Sequence, residues 1–296
     1  MSTAPSELQR YIVESAALVE AALDRAFEPI PGAPAILHEA QRYTLMAGGK
    51  RLRAVTTLAC AELVRGTASS AVPFAVAIEM VHASSLILDD LPSMDDAQLR
   101  RGRAALHREH GEANAILAAV GLLTRGFEVI AAHEAVPAAI RNEASYRLAR
   151  AIGDDGLVAG QIADLEATGD SPDLGQLEYI HRNKTGALFI AAAELGALAG
   201  GGSAKDLRQV HLYAKNLGLA FQITDDLLDV EGETAVTGKD VGLDKDKQTF
   251  VDVCGVDGSR RLVDELIDAS QVALQPYRKR AAVLAALAEM VRRRDR

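Results

Sequence analysis

Apolar residues in this chain recur at helical spacing in long blocks, and no stretch shows the clean alternation of a half-buried strand. The first block predicts a helix from Ser6 to about Phe27. Ser6, followed three residues later by Gln9, has the form of a capping box, and PIPGAP at 29–34 ends the helix. A second stretch, 35–47, closes at Gly48-Gly49. Patterning continues over 51–65 and 71–91, where Pro92 interrupts it. The stretch 112–133 is apolar nearly all round, which predicts a helix at the centre of a bundle. Further helices are expected at 138–151, 155–168, 174–200, 203–230, 257–272 and 277–293. Residues 1–5 read as a loose tail. Residues 232–250 form a polar loop rich in Gly and Lys, too long for a plain connector and a candidate lid. With no tandem repeat and no Pro-, Gly- or Ser-rich linker, the expectation is a single all-α domain over 1–296.

Composition agrees with helices. Hydrophobic residues make up 49%, aromatics only 4%, and Ala, Leu and Val dominate. A net charge of −9 argues against a nucleic-acid partner but leaves room for anionic substrates bridged by cations. The two cysteines, Cys60 and Cys254, have neither metal-ligand spacing nor a disulfide framework, so a reduced, cytoplasmic setting is expected. No signal-peptide pattern opens the chain. The longest apolar runs, such as AILAAVGLL at 115–123, predict no transmembrane segment.

Two acidic clusters carry the candidate chemistry. Asp89, Asp90, Asp95 and Asp96 end an apolar helix in DDLPSMDD. A continuous helix would set Asp89 and Asp95 about 120° apart around its axis. Pro92 makes continuity unfavourable, and a bend there could return Asp95 beside Asp89. Directly after come Arg100, Arg101 and Arg103, a pairing of signs that suits a metal-bound polyphosphate or mutual surface ion pairs. In the second cluster, Asp225, Asp226 and Asp229, the i,i+4 pair Asp225 and Asp229 shares one helix face. Taken alone, each cluster also fits a solvated acidic helix end.

Taken together with GGKRLR at 48–53, GQIADL at 160–165, KTGALF at 184–189 and FQITDDLLD followed by TGKD at 221–240, the chain resembles the trans-polyprenyl diphosphate synthases. Within them it is most similar to bacterial geranylgeranyl diphosphate synthases of carotenoid pathways. The resemblance implies an all-α homodimer of the isoprenoid synthase type with a central active-site cavity. It implies head-to-tail joining of isopentenyl diphosphate to an allylic diphosphate (dimethylallyl, geranyl or farnesyl). It also implies Mg²⁺, three ions per site with substrate bound, held by Asp89 and Asp95 from one wall and Asp225 from the other. Asp229 would complete the second motif, and Asp226 belongs to the same catalytic group. Arg100, Lys184 and Lys239 would hold the allylic diphosphate. Lys50, Arg53, His82 and Arg101 would hold isopentenyl diphosphate. Thr185 and Gln222 would line the reacting centre. Two departures stand out: Ala104-Ala105-Leu106-His107 replaces the usual Pro-Thr before His, and DKDK at 244–247 stands where a Gly often sits.

Ser84 and Ser85 lie one turn before Asp89, where members that stop at fifteen carbons commonly carry an aromatic. Their small size implies a twenty-carbon product, with Leu122 and Leu123 as candidates for a deeper floor. A fifteen-carbon product is the alternative. A terpene cyclase would carry an Asn/Ser/Glu motif in place of DDLLD, and a noncatalytic subunit would lack one aspartate motif; this chain keeps both.

Overall fold

The helices follow the caps that the sequence provides. In a computed structural model, which describes residues 6–167, 174–235 and 249–293, α1 (Glu7–Ala26) opens on the expected capping box. The Gln9 amide donates to Ser6 Oγ (3.2 Å) and the Ser6 amide to Gln9 Oε1 (2.9 Å). Then come α2 (Ala35–Leu45), α3 (Leu52–Leu63) and α4 (Ala68–Asp89). A short antiparallel pair follows, β1 (Leu99–Arg100) with β2 (Arg103–Ala104), where no strand was expected. A two-residue strand is too short to leave an alternation in the sequence. Next are α5 (Leu106–His110), α6 (Glu112–Ala132), α7 (Ala138–Ile152), α8 (Leu157–Glu166) and α9 (Leu174–His181). A π-helical turn, Arg182–Gly186, joins α9 to α10 (Ala187–Ala199), so the expected helix over 174–200 carries one extra-wide turn. The chain continues through α11 (Ala204–Ala235), α12 (Phe250–Leu274), a 3₁₀ segment (Gln275–Ala281) and α13 (Ala282–Arg292). Of the expected loop at 232–250, residues 232–235 are helical, and Thr249 caps α12 with Asp252 in a second capping box. A break at Gly255 (φ 68) separates the first turn of α12 from the part that the sequence predicted.

Helix α10 is the central element: every residue but Ile190 is buried. Leu188, Ala191, Ala192 and Leu195 pack into one apolar cluster with α1, α3, α4, α6 and α7. Ala193 and Ala197 pack into a second, with α11, α12 and α13. The expectation that the 112–133 helix lies at the centre is corrected here. Helix α6 exposes a stripe of Ile116, Leu117 and Val120. Composition records that a surface is apolar but not what covers it.

A second correction concerns length. Helices α4 and α6, at 22 and 21 residues, are long and apolar enough to cross a membrane by length and composition alone. Counting an unbroken run such as 115–123 understated them, because single polar residues interrupt each helix. Two thirds of the apolar window of α4 is buried within the fold, as expected of a core helix.

Candidate active site

The first aspartate cluster forms where α4 stops. Beyond Asp89 the chain doubles back: the Met94 amide donates to Leu91 O (2.9 Å), the Asp95 amide to Asp89 O (2.9 Å) and the Ala97 amide to Asp90 O (3.2 Å). The bend expected at Pro92 therefore sets Asp95 directly on the end of α4. Burial pushes the Asp89 carboxyl up to about 6, against the pull of Lys184 and with a further push from Asp95. Asp90 takes a different part. Its buried carboxylate accepts from Arg100 Nε at 2.9 and 3.1 Å and also from Arg100 Nη2. For Arg100, mutual ion pairing therefore coexists with a candidate anion site.

The β1–β2 turn is formed by Arg101 (φ 54) and Gly102 (φ 74), the left-handed pair that a tight hairpin needs. It throws Arg101 back onto the GGKRLR segment, where Nη1 donates to Gly48 O. At Gly49 the positive φ of 127 is what calls for glycine; a Cβ there would also lie 2.9 Å from Arg101 Cζ, the movable end of that side chain. Arg53 lies 4.5 Å above the Phe189 ring, and its Nη1 is 3.3 Å from His82 Nε2. A guanidinium only donates, so Nε2 accepts and the His82 proton sits on Nδ1. Burial, then the charges of Arg53, Arg101, Arg51 and Arg100, hold His82 well below its ordinary value, so it is neutral. Arg53 itself is lowered to about 10 by burial, against the pull of Glu79 and Asp225. Its buried Nε has no protein partner, a donor left for an anion. Arg53, His82 and Arg101 are thus brought together, with Lys50 exposed beside them in sequence.

The second wall comes from α8, the π turn and α11. Lys184 Nζ meets Asp164 Oδ2 at 2.6 Å, and its charge reaches Asp89. Thr185 Oγ1 donates to Gln222 Oε1 (3.1 Å), and Gln222 Nε2 donates to Asp226 Oδ1 (3.1 Å). The Phe250 amide donates to Asp226 Oδ2 (3.0 Å). Asp226 is buried, and burial pushes it up to about 6 against those two hydrogen bonds. Asp225 is half-buried and Asp229 exposed on the same helix. The charge of Asp225 is felt at Arg53, and that of Lys184 at Asp89, so the two walls face each other. Lys239 lies outside the described residues. The sequence reading had assigned no role to Asp90, Asp164 or Glu79. The acidic residue of GQIADL and the doubled aspartate were visible signals, but sequence does not show which cation each would meet.

The donor chemistry fits Mg²⁺. Among the described residues no three carboxylate, imidazole or thiol groups converge on one point. Asp89 and Asp95 stand on one wall and Asp225 and Asp229 on the other, so the remaining ligands would be phosphate oxygens and water, the mixture that Mg²⁺ prefers. Burial is the largest push on Asp89, and the smaller push from Asp95 and Asp90 is the kind of repulsion a dication relieves.

Comparison with known proteins agrees with this layout. A family profile described as Polyprenyl synthetase matches residues 34–286. A farnesyl diphosphate synthase of Geobacillus stearothermophilus is 42% identical over 97% of this chain and 98% of its own length. A chloroplastic geranylgeranyl pyrophosphate synthase of Capsicum annuum is 41% identical over 98% of this chain and 80% of its own. Among solved structures, an FPP/GFPP synthase from Zymomonas mobilis superposes with a TM-score of 0.86, at 31% identity over 96% of this chain and 98% of that one. The helical architecture is that of the solved relatives, and the chain belongs to the polyprenyl synthetase family as a prenyltransferase of isoprenoid biosynthesis.

Proposed function

We propose that this chain joins isopentenyl diphosphate to an allylic diphosphate, head to tail, and releases a twenty-carbon geranylgeranyl diphosphate. One observation supports the chemistry above others. Two carboxylate walls flank a cluster of cations whose buried Arg53 Nε lacks a partner. Asp89, Asp95 and Asp225 would hold Mg²⁺, and Asp229 would complete that motif. The metal would neutralise charge on the departing diphosphate. Arg100 and Lys184 orient that diphosphate, with Lys239 expected to join them. Lys50, Arg53, Arg101 and neutral His82 hold the isopentenyl diphosphate. The allylic C–O bond breaks, the isopentenyl double bond attacks the allylic cation, and a proton leaves to the released diphosphate. Thr185 and Gln222 border the reacting carbons, and exclusion of water keeps the cation from becoming an alcohol. The test is incubation of the pure protein with isopentenyl diphosphate and each allylic primer in Mg²⁺. Absence of any chain-elongated product overturns the reading.

Product length rests on Ser84 and Ser85. Both hydroxyls are satisfied by backbone, Ser84 Oγ donating to Ala119 O of α6 (2.8 Å) and Ser85 Oγ to His82 O (2.9 Å). No bulky side chain stands at either position. Leu122, a proposed floor residue, is fully buried, and Leu123 is partly so. Relatives named for either product are about equally identical, 42% for the farnesyl synthase and 41% for the geranylgeranyl synthase, so a fifteen-carbon product stays the alternative. Ser85→Phe, and Ser84→Phe despite its packing against α6, should shorten the main product by one isoprene unit. Overpacking at Ser84 costs about 1–3 kcal/mol, so melting is read alongside. Unchanged products from both variants would remove the serines as determinants.

We also read the chain as one domain, supported by Leu207, which packs on both apolar clusters. The exposed stripe Ile116, Leu117 and Val120 supports a homodimer formed through α6. Leu117→Glu should convert a dimer to monomer in light scattering, and a wild-type monomer at micromolar concentration would rule the dimer out.

A further inference from the structure

We infer that Glu79 and Arg51 form a buried pin that positions the isopentenyl diphosphate-binding residues, so that Glu79 is a positioning residue for that substrate alone. The inference rests on the reading that Lys50, Arg53, His82 and Arg101 hold isopentenyl diphosphate. Arg51 lies between the first two of these and is turned the other way. Its backbone is left-handed (φ 49) at the start of α3, and its side chain is 3% exposed. Arg51 Nη1 donates to Glu79 Oε2 (3.0 Å), Nη2 to Leu45 O (2.7 Å), and Nε lies 3.6 Å from Glu20 Oε1 of α1. Glu79, also 3% exposed, uses its other oxygen to accept the Ala54 amide at 3.3 Å. That amide is one of the orphan donors in the first turn of α3. A single carboxylate from the middle of α4 therefore holds both the inward arginine and the first turn of α3. Lys50 precedes this pin by one residue, and Arg53 follows it by two.

An unfavoured left-handed backbone persists only when its surroundings fix it. With the pin intact, Lys50 is exposed and Arg53 reaches His82. With it lost, buried Arg51 keeps only the half-exposed Glu20 carboxylate at 3.6 Å as a countercharge, beside other cations, and shifts toward it, carrying the segment with it. A misplacement of about 1 Å at a binding group can cost on the order of 10²-fold. The allylic-site residues Arg100 and Lys184 are held elsewhere, by Asp90 and Asp164.

The test is steady-state kinetics of Glu79→Gln with each substrate varied in turn. Wild-type turnover in the same assay checks the underlying reading independently. The expected result is a KM for isopentenyl diphosphate raised at least tenfold, with kcat and the allylic KM within about threefold of wild type. Glu79→Asp, which keeps the charge, should recover part of the loss, and it carries the test if Glu79→Gln does not fold. Equal rises in both KM values, or a lowered melting temperature with neither KM changed, reduce the pair to a structural one and overturn the inference. A lower KM for isopentenyl diphosphate also overturns it. That result is expected if Glu79 acts only as a negative charge opposing the substrate.

Discussion

Asp89→Ala should lower kcat by roughly 10³-fold while leaving the protein folded. Loss of a group that holds the metal on one wall removes several kcal/mol of transition-state charge stabilisation, and each 1.36 kcal/mol is tenfold. The measurement is Mg²⁺-dependent condensation, with thermal melting in parallel. Near-wild-type rates would sink the assignment of the first wall. Asp225→Ala should cost a similar factor, and the double variant far less than the product of the two, because the walls act as a unit. Melting provides an independent check with a definite sign. The folded carboxyl of Asp89 is raised from 3.8 to about 6, so the folded state binds the proton more tightly than the unfolded chain. Stability from this group is therefore greatest at low pH and falls as pH rises from about 4 to about 6. Above that range the ionised carboxylate is a standing penalty in the metal-free protein. At pH 7, metal-free Asp89→Ala should melt no lower than wild type.

Gly160→Ala should lower activity on the order of 10²-fold without changing any side chain expected to contact substrate. A Cβ at Gly160 would lie 2.8 Å from both Lys184 Cα and Asn183 C, and closer still to the Lys184 amide. These are backbone atoms, so neither side can yield by a rotamer change. Helix α8 and the π turn would have to part by about an ångström, and misplacement of that order can cost 10²-fold. The Lys184–Asp164 contact at 2.6 Å spans the same interface and would be strained. The measurements are kcat and the melting temperature, each against wild type. Full activity in Gly160→Ala would show that the placement of Lys184 by α8 is unimportant.

Local chemistry was what the sequence displayed best. Ser6 with Gln9, the Gly48-Gly49 stop and the Pro92 bend are short-range signals, and each appears in the structure at the expected position. The bend in particular delivers Asp95 to Asp89, which a continuous helix would not. Pairings across the fold were not visible. Acidic and basic clusters side by side allow ion pairing but do not say that Asp90 is the partner of Arg100, and nothing marks the Phe250 amide, 24 residues on, as the partner of Asp226. Such partners depend on how helices pack, and a charged residue type carries no record of its mate. The π turn was hidden for a related reason: one extra residue in one turn barely disturbs the apolar period over 174–200. Helix α6 was misplaced because an apolar stripe looks the same whether its cover lies within the chain or outside it.

A row of hydrogen bonds runs from Thr185 through Gln222 and Asp226 to the Phe250 amide. Helix α10, which follows Thr185 directly, is rich in alanine, and alanine surfaces offer nearly equivalent seats at each turn. Dispersion alone tolerates a slip of one helix past another under those conditions. Hydrogen bonds do not, because their donors and acceptors match at only one offset. The two bonds that cross between elements, Thr185 to Gln222 and the Phe250 amide to Asp226, therefore work as a vernier: they select one alignment of the π turn leading into α10, of α11 and of the start of α12 from several that the apolar contacts would accept.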